Sequence, residues 1–198
     1  YSYAWQLNPV QTTATATGLA VGTYTVLVTD NNNCQTQTTV TITEPSALSA
    51  AIITSSNPSC NGDSDGTATV VGASGTPTYT YLWPSGETSA TATGLSAGTI
   101  IVTVTDSEGC SATATATLID PPVVEITAIF TTDIDCHGDA TGTAQAAAQG
   151  GNPLGGYTFQ WSGTTQVGPS ITGLTAGDYT VTASDLNGCF TVGSFRTF

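Results

Sequence analysis

Residues 23–30 read Thr-Tyr-Thr-Val-Leu-Val-Thr-Asp, and alternation decides which way each side chain faces. Tyr24, Val26 and Val28 share one face of an extended chain, while Thr23, Thr25 and Thr29 occupy the other, the period-two pattern of a half-buried strand. Just upstream, Tyr1, Tyr3 and Trp5 alternate in the same way and offer one aromatic stripe to a core. That stripe returns as Tyr79, Tyr81 and Trp83, and again as Tyr157, Phe159 and Trp161, with the tryptophans 78 residues apart each time. Gly18-Leu19, Gly94-Leu95 and Gly173-Leu174 keep step with Asp30, Asp106 and Asp185 and with Cys34, Cys110 and Cys189, all moving by 76 and then 79 residues. Spacing at a fixed period is the signature of tandem structural repeats.

Cys60 and Cys136, 76 residues apart, open the related segments CNGDSDGTATV and CHGDATGTAQA, whose counterpart in the first copy would precede Tyr1. The reading is therefore a truncated repeat over residues 1–45, lacking its first strands, and full repeats over 46–121 and 122–198. The chain reads as an excerpt of something longer. The joints TEPSA and IDPPV carry proline, which cannot extend a central ladder and stiffens a short connection. Within the second copy, strands are predicted at LSAAIIT, GTATVVGA, TYTYLW, TSATAT, TIIVTVT and CSATATATLI, separated by Gly, Pro, Asn and Asp. An aromatic strand with a Trp, followed by a Leu-x-x-Gly-x-Tyr corner, is similar to immunoglobulin-like sandwiches. Ile100 replaces the corner tyrosine in copy two. The predicted fold is all-β: tandem immunoglobulin-like β-sandwich repeats of about 76–79 residues, each near the lower size limit for a self-sufficient core.

Composition agrees. The 198 residues include 41 threonines and 22 glycines and no methionine, which favours strands and turns over helices. Hydrophobic residues make up 39% and mean hydropathy is +0.10, so the chain has the apolar content to fold. With 14 acidic residues against one basic residue, Arg196, the net charge is -13. That leaves no basic stripe for nucleic acid and no cationic face for anionic lipid. No apolar run approaches the length of a membrane helix. A single basic residue also gives trypsin-like proteases a single point of attack.

Five cysteines without a CxxC pair point to disulfides in an oxidising compartment, and so to an extracellular setting. The expected pairs are Cys60 with Cys110 and Cys136 with Cys189, each closing a loop of about 50 residues and worth roughly 4 kcal/mol in the chain-entropy estimate. Cys34 is then unpaired, its partner expected upstream. The alternative is five buried thiols.

The string C-x-G-x-x-x-G-T-A, then Y-T-Y-x-W, then T-A-T-G-L-x-A-G-T-Y-T-V-x-V-T-D-x-x-x-C resembles the SprB-type repeat of very large surface adhesins of gliding and other Bacteroidota. In copy two the resemblance is carried by Cys60, Gly62, Gly66, Tyr79, Tyr81, Trp83, Gly94, Leu95, Gly98, Asp106 and Cys110. In copy three it is carried by Cys136, Gly138, Gly142, Tyr157, Phe159, Trp161, Gly173, Leu174, Gly177, Tyr179, Asp185 and Cys189. It implies a secreted, non-enzymatic building block of adhesins or surface filaments, with copies of itself or upstream repeats of the same chain as partners. A longer Gly-rich insert, QGGNPLGG, departs from the pattern in copy three and reads as a flexible loop.

Few constellations carry chemistry. Asp63 and Asp65 in Asn-Gly-Asp-Ser-Asp-Gly have the spacing of part of a calcium loop, Asp133, Asp135 and Asp139 surround Cys136, and Glu44 and Asp120 at the joints have the oxygens to complete an interdomain calcium site. The competing reading is turn chemistry, in which Asp and Asn bond their own backbone. No other cofactor is indicated. Asp30, Asp106 and Asp185, each opening an Asp-x-x-x-Cys connection, suit Asx turns. His137, the lone histidine, reads as an exposed loop residue. No Gly-x-Ser-x-Gly elbow or triad is present, and Asn57-Pro-Ser is blocked as a glycosylation sequon by its proline. Truncation of copy one would expose core-facing Tyr3, Trp5 and Val26 unless an upstream segment or neighbouring subunit supplies the missing strands. A different class of function, polysaccharide binding through exposed aromatics and Asp/Asn loops, requires Tyr79, Tyr81 and Trp83 at the surface.

Overall fold

The structure, a computed structural model, describes residues 1–198, with nothing stated of the Pro153 side chain. Threonine, valine and alanine in alternation build antiparallel strands throughout, and among the described residues there is no α-helix, only a three-residue 3-10 turn at Pro153–Gly155. The described residues fall into two compact units, one of Tyr1–Ala47 with Ser74–Thr76, the other of Leu48–Ala73 with Pro77–Phe198.

The first unit holds β1 (Ser2–Trp5), β2 (Gly22–Thr29) and β3 (Gln35–Ile42) in one sheet of order β1-β2-β3. Register places Val26 between Trp5 on one side and Thr38 on the other. Val26 is buried, whereas Tyr3 and Trp5 are half-buried, so the expected exposure of this face is partial. A neighbour on each flank is enough to cover the central strand, but Thr36, Thr38 and Val40 of β3 remain exposed.

The second unit contains two sandwiches. In the first, β4 (Ser49–Ser56), β5 (Gly66–Ala73) and β7 (Thr91–Leu95) form one sheet, and β6 (Thr80–Leu82), β8 (Gly98–Thr105) and β9 (Ser111–Leu118) form the other. The second sandwich repeats this with β10 (Glu125–Thr132), β11 (Gly142–Gln149) and β13 (Ser170–Leu174) facing β12 (Thr158–Trp161), β14 (Gly177–Ser184) and β15 (Phe190–Thr197). First, second and fifth strands on one side and third, fourth and sixth on the other, all antiparallel, are the A-B-E and C-F-G sheets of an immunoglobulin-like sandwich without its D strand. Each of the five sheets has three strands, one sheet within β1–β3, two within β4–β9 and two within β10–β15.

Each sandwich packs one tryptophan among small residues. Trp83, 1% exposed, sits with Ala68, Val70, Val102, Val104 and Ala114, and its indole N–H donates to Ser89 O at 2.8 Å. Trp161 is held likewise, its N–H donating to Gly168 O at 2.8 Å. The large rings explain the alanines: close-packed interiors leave no room for a second bulky layer. The glycine opening β5 has a similar cause, since a Cβ on Gly66 would lie 2.8 Å from Leu95 O and 2.9 Å from Leu118 Cδ1. On the outer faces hydroxyls pair across strands, as in Thr69 with Thr91 at 2.9 Å and Thr132 with Thr143 at 2.8 Å, which stabilises a sheet without charge. The corner tyrosines behave as the pattern requires, Tyr24 donating to Ala20 O and Tyr179 to Thr175 O.

Candidate functional site at the joint between the sandwiches

The six residues from Ile119 to Val124 carry the chain from β9 to β10, and several hydrogen bonds hold them. Ile119 N donates to Asn57 Oδ1 at 3.0 Å, Asn61 Nδ2 to Pro121 O at 2.9 Å, and Gly151 N to Pro122 O at 2.8 Å. Asn187 of the β14–β15 turn reaches across to donate to Ser59 O at 3.0 Å. Val124 is buried. A disulfide closes the joint: Cys60 of the first sandwich is bonded to Cys189 of the second, with Cα atoms 5.4 Å apart.

This bond corrects the expected pairing. Cys34, Cys110 and Cys136 are free and exposed, so neither Cys60–Cys110 nor Cys136–Cys189 forms, and the five thiols are not buried. The reason is strand direction. Gly66, just after the Cys60 loop, pairs with Leu95, and Gly98 pairs with Leu118, so β8 starts at the Cys60 end of the sandwich and runs its eight residues to the Cys110 end. Eight extended residues span about 26 Å, against the roughly 7 Å limit between Cα atoms of a disulfide. Cys136 and Cys189 are separated by β14 in the same way. Because β9 leaves the first sandwich at its Cys60 end and β10 enters the second at its Cys189 end, the two bonded cysteines are those that face each other.

The QGGNPLGG insert is packed against this joint. Gly150 has φ +82° and a Cβ there would lie 1.8 Å from Val123 O; at Gly151 it would lie 2.3 Å from Asp185 Oδ2. Tyr157 donates to Gly150 O at 2.6 Å. Sequence reading missed this because a glycine-rich run signals backbone freedom without showing what approaches it. Gly150→Ala is expected to destabilise the protein by about 1–3 kcal/mol, from the positive φ alone, with accelerated amide exchange at Val123 and Val124. Hydrogen exchange on the variant measures this.

Asp185, 5% exposed, orders the same region: Oδ1 accepts from the amides of Asn187 and Cys189, both at 2.9 Å, and Oδ2 from Asn152 N at 2.7 Å. Asp106 and Asp30 accept from their own turn amides in the same Asx arrangement. Two of the calcium candidates accept hydrogen bonds on their carboxylates. Asp65 accepts from Ser59 N at 2.8 Å and Ser59 Oγ at 2.5 Å, and Asp133 from Phe198 N at 3.0 Å. Asp139 N donates to Cys136 O, as Asp63 N does to Cys60 O, and Asp135 N to Thr141 Oγ1. Glu44 belongs to the first unit, while Asp120 lines a cleft of about 490 Å³ at the joint, with Oδ1 buried and unpartnered. Among the described residues no three acidic, histidine or cysteine side chains gather into a metal-holding group. His137 lies exposed beside the free Cys136.

The Ser59 hydroxyl and then its amide hold the Asp65 carboxyl below its ordinary value of 3.8. A depressed carboxylate stabilises the folded loop above the ordinary value, and that contribution is lost as pH falls through the lowered one. Ser59→Ala is expected to return Asp65 toward its ordinary titration, read from the carboxyl carbon shift by NMR.

Trp83 is sealed in the core, and Tyr79 and Tyr81 are half-buried against it, so of this stripe only the two tyrosines reach the surface, and only in part. No helix among the described residues is long and apolar enough to cross a membrane.

A model of the SprB repeat matches residues 52–88 and 128–166, one segment in each sandwich. No curated protein matches the chain. Among solved structures the chain is similar to the N-terminal eight Ig domains of Down Syndrome Cell Adhesion Molecule, at 14% identity over 98% of this chain and 31% of that one, TM-score 0.43. It is also similar to the fibronectin(III)-like modules of Clostridium thermocellum CbhA, at 16% identity over 75% of this chain and 93% of that one, TM-score 0.33. Sidekick-1 immunoglobulin domains 1-4 share 16% identity over 98% of this chain and 66% of that one, TM-score 0.32. The chain thus spans under a third of the length of the first of these.

Proposed function

We propose that this chain, which carries SprB repeats at residues 52–88 and 128–166, is a non-enzymatic structural segment of an extracellular bacterial surface filament or giant adhesin. The observation that carries the reading is the joint: two small sandwiches bonded covalently and through linker, loop and turn hydrogen bonds. Such a connection gives length and stiffness, and the near absence of basic residues supports resistance to trypsin-like proteases. The repeats run over residues 46–121 and 122–198, with a partial one over 1–45.

In this reading the sheet β1-β2-β3 is completed by strands equivalent to β4 and β5, contributed by a preceding repeat or by another copy of the protein. The exposed inward positions Thr38 and Val40, whose counterparts Ala114 and Ala116 are buried in the first sandwich, support this. Antibodies raised against the second unit are expected to label fibres on intact cells, with images of those fibres showing strands laid over β1-β2-β3. Labelling that requires permeabilised cells would contradict the surface role.

A further inference from the structure

The five cysteines occupy two kinds of position, and each kind is presented by a local geometry that recurs along the chain. Hairpin cysteines Cys34, Cys110 and Cys189 follow the same turn: the amides of Asp30, Asp106 and Asp185 donate to the carbonyls of the respective cysteines at 2.9–3.0 Å, and the aspartate side chains accept back from the cysteine amides at 2.8–2.9 Å. The preceding residues Asn33, Gly109 and Gly188 have φ of 61°, 83° and 87°. Loop cysteines Cys60 and Cys136 are also alike. Each accepts an amide hydrogen bond from the residue three positions on, at 3.1 and 3.0 Å, and Gly62 and Gly138 have φ of 82° and 92°. The amide just before each loop cysteine is fixed by a side chain six residues on, Ser59 N by Asp65 and Asp135 N by Thr141. One loop cysteine and one hairpin cysteine meet at the joint and are bonded.

We propose that Cys60–Cys189 is one rung of a head-to-tail register in which the loop cysteine of each repeat is bonded to the hairpin cysteine of the repeat that follows. The exposed thiols are then half-rungs. Cys136 takes the hairpin cysteine of a further SprB-type repeat docked on the second sandwich, and Cys110 takes the loop cysteine of a repeat that comes before its own. The fold forbids the other solution, since the two cysteines of one sandwich lie at opposite ends of it. The chemistry is thiol–disulfide exchange with a low-molecular-weight disulfide. The Cys136 thiolate attacks the oxidant and releases one of its thiols, and the hairpin thiolate then attacks the Cys136 sulfur of the mixed disulfide and releases the second. Two protein thiols lose two electrons and two protons, and one small disulfide is reduced to two thiols. This inference goes beyond the proposed surface role and requires of it only an oxidising compartment.

The test extends the full chain. A second copy of residues 120–198 is appended after Phe198, which reproduces the linker spacing between the first two sandwiches, and the protein is refolded with oxidised and reduced glutathione. Peptide mapping without reduction should show Cys136 bonded to the hairpin cysteine of the appended repeat in most molecules, with Cys60–Cys189 unchanged. Cys136 recovered as a free thiol, or bonded to Cys189, while the appended repeat shows a native fold by NMR, would overturn the proposal. Cys136→Ser should leave the appended hairpin cysteine as a thiol. The unextended chain, oxidised in parallel, separates the sources of the partner: covalent multimers joined through Cys136 and a hairpin cysteine identify another copy as a competent donor, and monomers alone confine the rung to repeats of one chain.

Discussion

Reduction of the Cys60–Cys189 bond, or Cys60→Ser, is expected to destabilise the paired sandwiches by about 5 kcal/mol. The cysteines are 129 residues apart in sequence, and a cross-link over that span removes about this much loop-closure free energy from the unfolded chain in the entropy model. For a protein of this size each kcal/mol moves the melting temperature by roughly 2–4 °C, so the shift should be about 10–20 °C. The form of the transition should change as well. With the bond intact the two sandwiches share a linker held by Asn57, Asn61 and Asn187 and should unfold as one unit; without it they should separate into two transitions. Differential scanning calorimetry with and without reductant measures both effects, and Cys34→Ser serves as a control that leaves them unchanged.

The second large effect is expected from Trp83→Ala, at about 3–5 kcal/mol. The ring is 1% exposed and touches both sheets' small residues, so its removal leaves a cavity that alanine-rich strands cannot collapse to fill. Ser89 O also loses the indole donor it accepts from at 2.8 Å. Once the Cys60–Cys189 bond is reduced, Trp161, which belongs to a separate core, should keep its indole N–H signal in denaturant concentrations at which the first sandwich of the variant has already unfolded. NMR across a urea titration follows the two sandwiches independently.

The repeat, its strands and its core were legible in the sequence because each has a local cause. Alternation in residues 23–30 sets the inward face of β2, and the tryptophan spacing locates each core. What sequence could not show depends on partners distant in the chain. The pentapeptide Thr-Ala-Thr-Gly-Leu occurs at residues 15–19 and 91–95; the second copy is strand β7 because β5 pairs with it, and the first, with no such partner strand, is not a strand. Identical local propensity thus has two outcomes, decided by a neighbour. The disulfide pairing failed for a related reason. Loop length measures how favourable a cross-link would be but carries no information on which end of a sandwich each cysteine occupies, and that is fixed by the direction of β8 and β14. The aspartates at Asp30, Asp106 and Asp185 were readable as Asx turns since their partners lie within four residues. The role of Gly150 under the linker was not, because Val123 approaches it from 27 positions earlier.

The central claim is that successive repeats are bonded to each other and not within themselves. Peptide mapping of the oxidised 198-residue chain, digested without reduction and with thiols alkylated beforehand, tests it most directly. The expected result is one cross-linked peptide pair containing Cys60 and Cys189, with alkylated Cys34, Cys110 and Cys136. Recovery of Cys60 linked to Cys110, together with Cys136 linked to Cys189, would contradict it.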